Sequence, residues 1–454
     1  MQKKYFGDPH FYRNVILIAL PVMAQMFVST FVSLIDNFMV AQLGDIKMSG
    51  VNISNQIFFI VQVATTSLAT AGGIFLSQFR GARSKAGMQQ AFRFKLFMLV
   101  LVAIIAMLVI FLFKESLLFG MVLKNSNANE IVPYGITYLE IVLLSFIPFA
   151  CSISFSTSLR ETGFPKLPFI ITTIAALINA FLNYCLIYGH FGAPRLEVAG
   201  AAYATLIARI VEMFLFILVS RNKDFYVRIT ELCKIDFSIF KQIIKKSFWL
   251  LFSDLVWAFT EIFINAVYNG LGGSEVVSGM SAGWTICDLF FLTHVGLGTA
   301  ITVIVGGLLG QNKLEEAKQN ATWFRTLSII VGVSIGIIEA LSSFVIVPLV
   351  FGQLSNEAQR VALHLICVVA VYFPVWSLTN AQYSILLAGG DSFTMSIIET
   401  SINVLICLPA VFLLTKYTSV GPVALYALIK IASIIKPIIT HFAIKKGKWV
   451  KNLT

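Results

Sequence analysis

The sequence predicts an all-α integral membrane protein with twelve transmembrane helices in two pseudo-symmetric six-helix bundles. Of its 454 residues, 58% are hydrophobic and only 12% are charged, which is too little polar surface to cover a soluble fold of this size. Its apolar stretches reach roughly 20 to 30 residues, long enough to cross a bilayer. Short motifs of the first half also recur in the second half. These three observations together favour a duplicated membrane bundle.

The apolar stretches give the expected spans in order along the chain, six in each half. They lie at about 12–40, 51–79, 91–114, 130–159, 167–190, 197–220, 241–269, 277–308, 321–351, 357–387, 392–415 and 419–445. The first stretch is far longer than the apolar part of a signal peptide, so we expect it to remain as a span.

Basic residues concentrate in alternate loops, and this sets the expected orientation. They cluster at the amino terminus, around Arg83, from Arg221 to Lys246, around Lys313 and in the tail from Lys445. By the positive-inside rule both termini are cytoplasmic, and the loops near Lys47, Lys124 and Arg195 are external. We therefore expect a multi-pass protein of the cell membrane. Its net charge of +11 then reflects topology, and a nucleic-acid partner is not expected.

An internal repeat divides the chain. AlaThrAlaGlyGly at Ala69 recurs as GlyThrAlaIleThr at Gly298, and Asn179 in span five matches Asn403 in span eleven. We expect an amino-terminal lobe at 1–221, a cytoplasmic linker at 222–240 and a carboxyl-terminal lobe at 241–454. Two similar membrane halves are typical of secondary transporters, which hold their substrate near the bilayer midplane while one half rocks against the other.

Charged residues at membrane depth cost about 2.5 to 3.5 kcal/mol each, so each is a functional candidate. They are Asp36, Glu140, Arg209 and Glu212 in the first half and Asp254, Glu261, Asp288, Glu339, Glu399 and Lys430 in the second. Arg209 and Glu212 are three residues apart on one helix face, which predicts a mutually satisfied pair. A structural role is favoured for Glu140, Glu339 and Lys430.

Asp36 has no cation near it in the sequence. Asn179 and Asn183 are four residues apart on one face of span five, and Thr205 adds a hydroxyl group on span six. These groups would provide oxygen ligands for a sodium ion, or a hydrogen-bonded cage for a carboxyl group that takes up and releases a proton. Polar side chains that only bridge neighbouring helices are the alternative.

The second half offers weaker candidates. Glu261 lies seven residues after Asp254, on nearly the same helix face and about 10 Å along the axis, so the two would form an acidic stripe. With Asp288 they are candidates for a substrate or proton site. Aromatic faces attract organic cations, and the aromatic candidates within spans are Trp257, Trp284 and Trp376.

Several motifs resemble those of the multidrug and toxic compound extrusion (MATE) family over essentially the whole chain. They are Pro21 with Asp36 in the first span, ValAsnIleSerAsnGln at Val51, SerGlnPheArgGlyAla at Ser77, LeuArgGluThrGly at Leu159, AsnAlaPheLeuAsn at Asn179 and GlyAlaAlaTyrAlaThr at Gly200. The resemblance implies two six-helix bundles and export of organic cations in exchange for sodium ions or protons. It also implies that Asp36 is the coupling carboxylate and that Asn179, Asn183 and Thr205 complete an amino-terminal cation site.

Three positions depart from the pattern of that family. Asn183 stands where some members have Asp, which implies weaker ion binding. Asp254 stands where many members have Glu. Trp376 lies in the region where one subfamily has an Asp on the tenth helix. The resemblance therefore does not support a sodium site of that type in the second lobe.

The expected function is a cation-coupled antiporter, driven by H⁺ or Na⁺, that exports amphipathic organic cations, drugs or metabolites. We expect it to act as a monomer in the lipid bilayer and to need no cofactor. The alternative is a lipid-linked precursor flippase of the same superfamily, which the mostly acidic intramembrane charges disfavour. A channel would leave those acidic sites unexplained. An enzyme is not expected, because the five histidines lack metal-site spacing.

Overall fold

The computed structural model describes residues 5–122, 127–221, 234–271, 273–418 and 420–454, and their regular structure is helical throughout. The helices are α1 (Pro9–Ala41), α2 (Asp45–Gly81), α3 (Lys85–Met121), α4 (Ala128–Leu143), α5 (Phe146–Glu161), α6 (Lys166–Tyr188), α7 (Glu197–Ser220), α8 (Phe237–Gly270), α9 (Ser274–Gly310), α10 (Leu314–Phe351), α11 (Asn356–Ala388), α12 (Ser392–Ile402), α13 (Leu408–Tyr417), α14 (Pro422–Lys430) and α15 (Ile435–Lys445). A π-helical turn at Asn403–Cys407 joins α12 to α13, and a 3₁₀ turn at Ile431–Ile434 joins α14 to α15.

These helices confirm the predicted fold class. In the described part of the chain, eleven helices are long and apolar enough to cross a membrane, or twelve when the bent pair α4 and α5 is taken as one span. The two joined pairs, Ser392–Tyr417 and Pro422–Lys445, each form one span. The protein is therefore a multi-pass membrane protein.

The fourth span bends by 51° between α4 and α5. Pro148 lies in the first turn of α5, so the carbonyl of Leu144 has no N–H four residues ahead with which to bond. The chain tightens at this point instead: the Ser145 N–H donates to the Val142 carbonyl at 2.8 Å, and the Ser145 hydroxyl donates to the same oxygen at 2.6 Å. A membrane helix tolerates such a break where local bonds satisfy the backbone.

The outer faces of the long helices are as apolar as their cores. On α3, Leu112 is 65% exposed, and on α10, Leu341 and Leu349 are 67% and 79% exposed. A soluble protein rarely exposes apolar side chains in continuous stripes of this kind. These faces are suited to contact with lipid chains.

The chain divides into two compact units. The N unit contains Ala24–Leu76 and Ser84–Ile244, and the C unit contains Met1–Met23, Ser77–Arg83 and Lys245–Thr454. Helices α1, α2 and α8 contribute to both. The lobe boundaries expected from the sequence stay a prediction, and residues 222–233 of the expected linker lie outside the described residues. Helix α8 begins at Phe237 and runs without a break, so the segment after the linker extends the seventh span.

The core of the N unit is formed by residues from several of its helices. Its fully buried residues include Leu99 of α3, Leu139 of α4 and Ala202 of α7. Close helix approach in this core depends on glycine. A Cβ atom at Gly200 of α7 would lie 2.5 Å from the Leu186 carbonyl oxygen of α6. Only glycine lets these two helices approach so closely.

Candidate cation site in the first half

Asp36 and the two asparagines meet inside the N unit, as the sequence predicted they would. Asp36 lies in α1, and Asn179 and Asn183 lie one turn apart in α6. The Asn183 amide nitrogen donates to Asp36 Oδ1 at 2.5 Å. Asp36 is half-buried, whereas both asparagines are buried. A carboxyl group from one helix is thus held by two amides from another.

The Asn179 amide can serve either protonation state of Asp36. With its nitrogen turned toward the carboxylate, it donates to Oδ2 at 2.8 Å and to Oδ1 at 3.0 Å. With its oxygen turned there instead, it can accept a hydrogen bond from a protonated carboxyl group, because an amide carries both a donor and an acceptor. The Asn183 amide lies 3.4 Å from Asn179 Oδ1 in that orientation. The cage formed by the Asn179 and Asn183 amides can therefore hold the Asp36 carboxyl group while it gains or loses a cation.

Tyr138 of α4 forms the next layer of the site, and sequence reasoning missed it. Its hydroxyl group interacts with the side chains of Thr205 and Asn55 and lies close enough to Asp36 to sense its charge. Thr205 thus joins the site through Tyr138. Tyr138 lies on an apolar helix, where a tyrosine usually packs as a hydrophobic residue, so only its spatial neighbours reveal the role.

A second polar group borders the cage. Arg209 Nη1 lies 2.8 Å from Glu212 Oε2, which confirms the predicted pair. Arg209 is also near enough to Asp36 for their charges to interact. The other oxygen of Glu212 accepts a hydrogen bond from Thr172 at 2.9 Å, and Thr172 accepts one from Gln25 at 2.9 Å. Gln25 is a second residue that sequence reasoning missed, although a glutamine in an apolar span was the signal available.

The acidic candidates of the second half lie in different surroundings. Asp254 of α8 is half-buried, and Asp288 of α9 is exposed. Glu261 forms an ion pair with Lys430 of α14 at 2.7 Å. Glu261 is therefore directly paired with a cation, whereas no cation among the described residues forms an ion pair with Asp36.

Two of the three tryptophan candidates belong to one aromatic cluster in the C unit. Phe291 of α9 lies between them, with its ring centroid 6.5 Å from that of Trp284 and 5.6 Å from that of Trp376. Trp376 also stacks on Tyr372 at 5.9 Å. Trp257, in contrast, is 41% exposed on α8.

A structural role was expected for Glu339, and the structure shows how deeply this residue is buried. Its side chain in α10 is fully buried, and no described nitrogen or oxygen atom forms a hydrogen bond with either carboxylate oxygen. The Cys287 thiol of α9 lies beside it. A buried carboxyl group in such a place must be neutral or closely solvated, because an isolated buried charge is costly.

Comparisons with known proteins agree with this fold. The sequence profile of the MatE family matches residues 21–185 and 250–412. The chain is 24% identical over 450 residues to a probable multidrug resistance protein NorM of Thermotoga maritima, covering 98% of this chain and 94% of that protein. It is also similar to the crystal structure of a MATE in complex with MaL6, with a TM-score of 0.86, 20% identity and 98% of each chain covered. An outward-facing multidrug resistance MATE family transporter of the MOP superfamily gives a TM-score of 0.85 at 20% identity, covering 98% of this chain and 97% of that one.

Proposed function

This chain belongs to the MatE family of multidrug efflux transporters, and we propose that it is an antiporter that exports small organic cations in exchange for protons or sodium ions bound at Asp36. The exchange runs by alternating access, with both termini in the cytoplasm. Because ion and substrate cross without a covalent step, the protein needs no cofactor and acts as a transporter rather than as an enzyme. No observation favours lipid-linked precursors as substrate.

The surroundings of Asp36 carry this proposal. Glu212 neutralises Arg209, the nearest cation, so Asp36 keeps an uncompensated negative charge among the described residues. A carboxylate at membrane depth is costly without a counter-charge. A proton or a sodium ion supplies that charge, and the amides of Asn179 and Asn183 hold the carboxyl group in place while the cation comes and goes.

The chemistry of the C unit supports an organic cation as the exported substrate. Trp284, Phe291 and Trp376 form a continuous aromatic cluster, and aromatic rings attract organic cations by about 0.5 to 2 kcal/mol per contact. Asp254 and Asp288 add negative charge on neighbouring helices of the same unit. A site of this character would repel an anionic substrate.

The test is accumulation of a fluorescent organic cation by proteoliposomes under an imposed pH gradient or an imposed sodium gradient. We expect one of the two gradients to drive uptake against the substrate gradient in the wild type. Asp36→Asn keeps the size and hydrogen bonding of the side chain but can neither titrate nor neutralise a sodium ion, so it should abolish accumulation. Asp45→Asn, the same change at an exposed position in the first turn of α2, is the control and should transport normally. Accumulation by Asp36→Asn at the wild-type rate would overturn the proposal.

A further inference from the structure

A buried cluster in the C unit is built around a lysine. Lys436 Nζ donates to Glu399 Oε1 at 2.8 Å and to Asn403 Oδ1 at 3.1 Å. The Tyr383 hydroxyl donates to Glu399 Oε2 at 2.9 Å, and the Asn403 amide nitrogen donates to Glu399 Oε1 at 3.0 Å. The side chains of Lys436 and Glu399 are each only 12% exposed. Every hydrogen-bonding group of this cluster therefore has a partner.

The internal repeat relates this cluster to the cation site of the first half. One offset of 224 residues pairs Asn179 with Asn403 and Glu212 with Lys436. Asn179 presents its amide to the Asp36 carboxyl group, and Asn403 presents its amide to the Glu399 carboxyl group. Both halves thus contain a carboxylate that contacts an asparagine at the same position of the repeat, half-buried at Asp36 and buried at Glu399.

The charge balance of the two clusters differs. Among the described residues of the first half, Asp36 and Glu212 face one cation, Arg209, which leaves one negative charge uncompensated. In the second half, Lys436 directly neutralises Glu399. A carboxylate that stays ionised out of water requires a counter-charge. The first cluster must take that charge from an exchangeable cation, whereas the second already contains it as a covalently attached ammonium group.

The backbone is distorted where these groups meet. The π-helical turn begins at Asn403 and precedes Pro409, which lacks the N–H that would bond four residues back. The 3₁₀ turn Ile431–Ile434 ends just before Lys436 and is followed by Pro437. Such irregular turns inside membrane helices often occur at functional sites. Here they occur in both helices that supply the ammonium group and its amide ligand.

We propose that Lys436 is a permanently bound cation that closes the second-half counterpart of the Asp36 site to exchangeable sodium ions and protons. This inference rests on the proposed function, because it specifies which of two related sites carries the coupling ion. It predicts that removing the ammonium group converts the Glu399 cluster into a cation site. Besides Tyr383, the described titratable neighbours include Cys407 of the π-helical turn, which is close enough to sense Lys436, Glu399 and the Lys430–Glu261 pair.

The experiment measures ion binding through thermal unfolding of the purified full-length protein, in an Asp36→Asn background that removes the first site. The change in the unfolding midpoint of this parent on replacing choline with about 100 mM sodium, or on going from about pH 8 to pH 6, is the reference. Adding Lys436→Met should raise the unfolding midpoint by about 2 °C or more beyond that reference with sodium or with acid. Adding Glu399→Gln to that variant removes the carboxylate and should abolish the response.

A general loss of stability in the Lys436 variants would not produce this result. The quantity measured is a rise in the unfolding midpoint that requires both an added cation and the Glu399 carboxylate. Lys436→Gln keeps a donor for Glu399 without the charge, and it must show the same gain if the methionine variant fails to fold. A Lys436 variant that responds to sodium and acid no more than its parent would overturn the inference. The assay needs no substrate or gradient, so its failure is distinguishable from a failure of export through Asp36.

Discussion

At the residue scale, the coupling chemistry depends on how Arg209 is shared. Its guanidinium group lies 2.8 Å from Glu212 and is also near Asp36, and its centre is 5.2 Å from the Phe149 ring. Glu212, on the same helix as Arg209, and the Phe149 ring of α5 together hold the guanidinium group in place. Asp36 is thereby left free to bind a mobile cation.

Releasing Arg209 should weaken the binding of the coupling ion. In Glu212→Gln the guanidinium group loses its charged partner and can pair with Asp36, where it competes with the coupling ion. We expect the concentration of that ion required for half-maximal transport to rise about tenfold, which corresponds to about 1.4 kcal/mol. Glu140→Gln, which breaks the ion pair with Lys114 elsewhere in the same unit, is the matched control. An unchanged requirement in Glu212→Gln would show that Arg209 does not compete at Asp36.

Adding charge at position 183 should have the opposite effect. The Asn183 amide nitrogen is 2.5 Å from Asp36 Oδ1, so Asn183→Asp places two carboxyl groups in contact. Like charges this close repel by several kcal/mol at an effective dielectric constant of about 20, so the pair must retain a cation. We expect the concentration of the coupling ion required for half-maximal transport to fall by at least tenfold. Equal or weaker ion binding by Asn183→Asp would contradict this description of the cage.

At the scale of the helices, the sequence predicts which side chains share a helix face better than it predicts which other helix that face contacts. The four-residue spacing of Asn179 and Asn183 predicted one polar face on α6, and the structure places that face on Asp36. It could not predict that Tyr138 of α4 would be the neighbour of Thr205, because periodicity within one helix contains no information about the helix opposite. Lys436 was missed for the same reason, since only the contact with Glu399 distinguishes it from a lysine near the end of a span.

The breaks in the helices were harder still to predict from the sequence. A continuous apolar stretch at 130–159 reads as one span, whereas the structure divides it into α4 and α5. Pro148 supplies the local cause. Pro21, Pro348 and Pro374 nevertheless lie inside uninterrupted helices, so a proline alone does not decide where a span bends.

The close approach of α6 and α7 should be necessary for both stability and ion binding. Gly200→Ala places a methyl group 2.5 Å from the Leu186 carbonyl oxygen, which must separate the two helices that hold Asn183 and Thr205. We expect a loss of about 1 to 3 kcal/mol in stability, together with weaker coupling-ion binding. Gly120→Ala in α3, where a Cβ atom meets nothing within 4 Å, is the control and should be neutral or stabilising. Equal thermal stability of the two variants would contradict the packing argument.

At the scale of the whole molecule, the expected orientation can be tested at two exposed positions, one in a loop and one at the start of a helix. In a background without native cysteines, Arg195→Cys should react with a membrane-impermeant reagent in intact cells, because the positive-inside rule places its loop outside. Lys318→Cys, at the start of α10, should react only after the membrane is opened. The two side chains are 64% and 49% exposed, so both are accessible to a reagent that reaches them. The reverse labelling pattern would invert the topology.

The number of coupling ions determines how much work the exchange can do. One proton exchanged for one monovalent organic cation moves no net charge, so the membrane potential does not contribute. A difference of one pH unit then sustains a substrate gradient of about tenfold, or about 1.4 kcal/mol. A second inward cation would add about 2.3 kcal/mol per 100 mV. If Lys436 permanently occupies the counterpart site, Asp36 alone binds a coupling ion, and we expect the electroneutral exchange of one ion for one substrate cation.

Measuring both fluxes in the same vesicles shows whether Asp36 carries the ion exchanged for substrate. Proteoliposomes loaded with an organic cation release it down its own gradient, and the uptake of protons or sodium ions is recorded at the same time. We expect ion uptake to accompany release in a fixed ratio near one in the wild type and to disappear in Asp36→Asn. Ion uptake coupled to substrate release at the wild-type ratio in Asp36→Asn would contradict it.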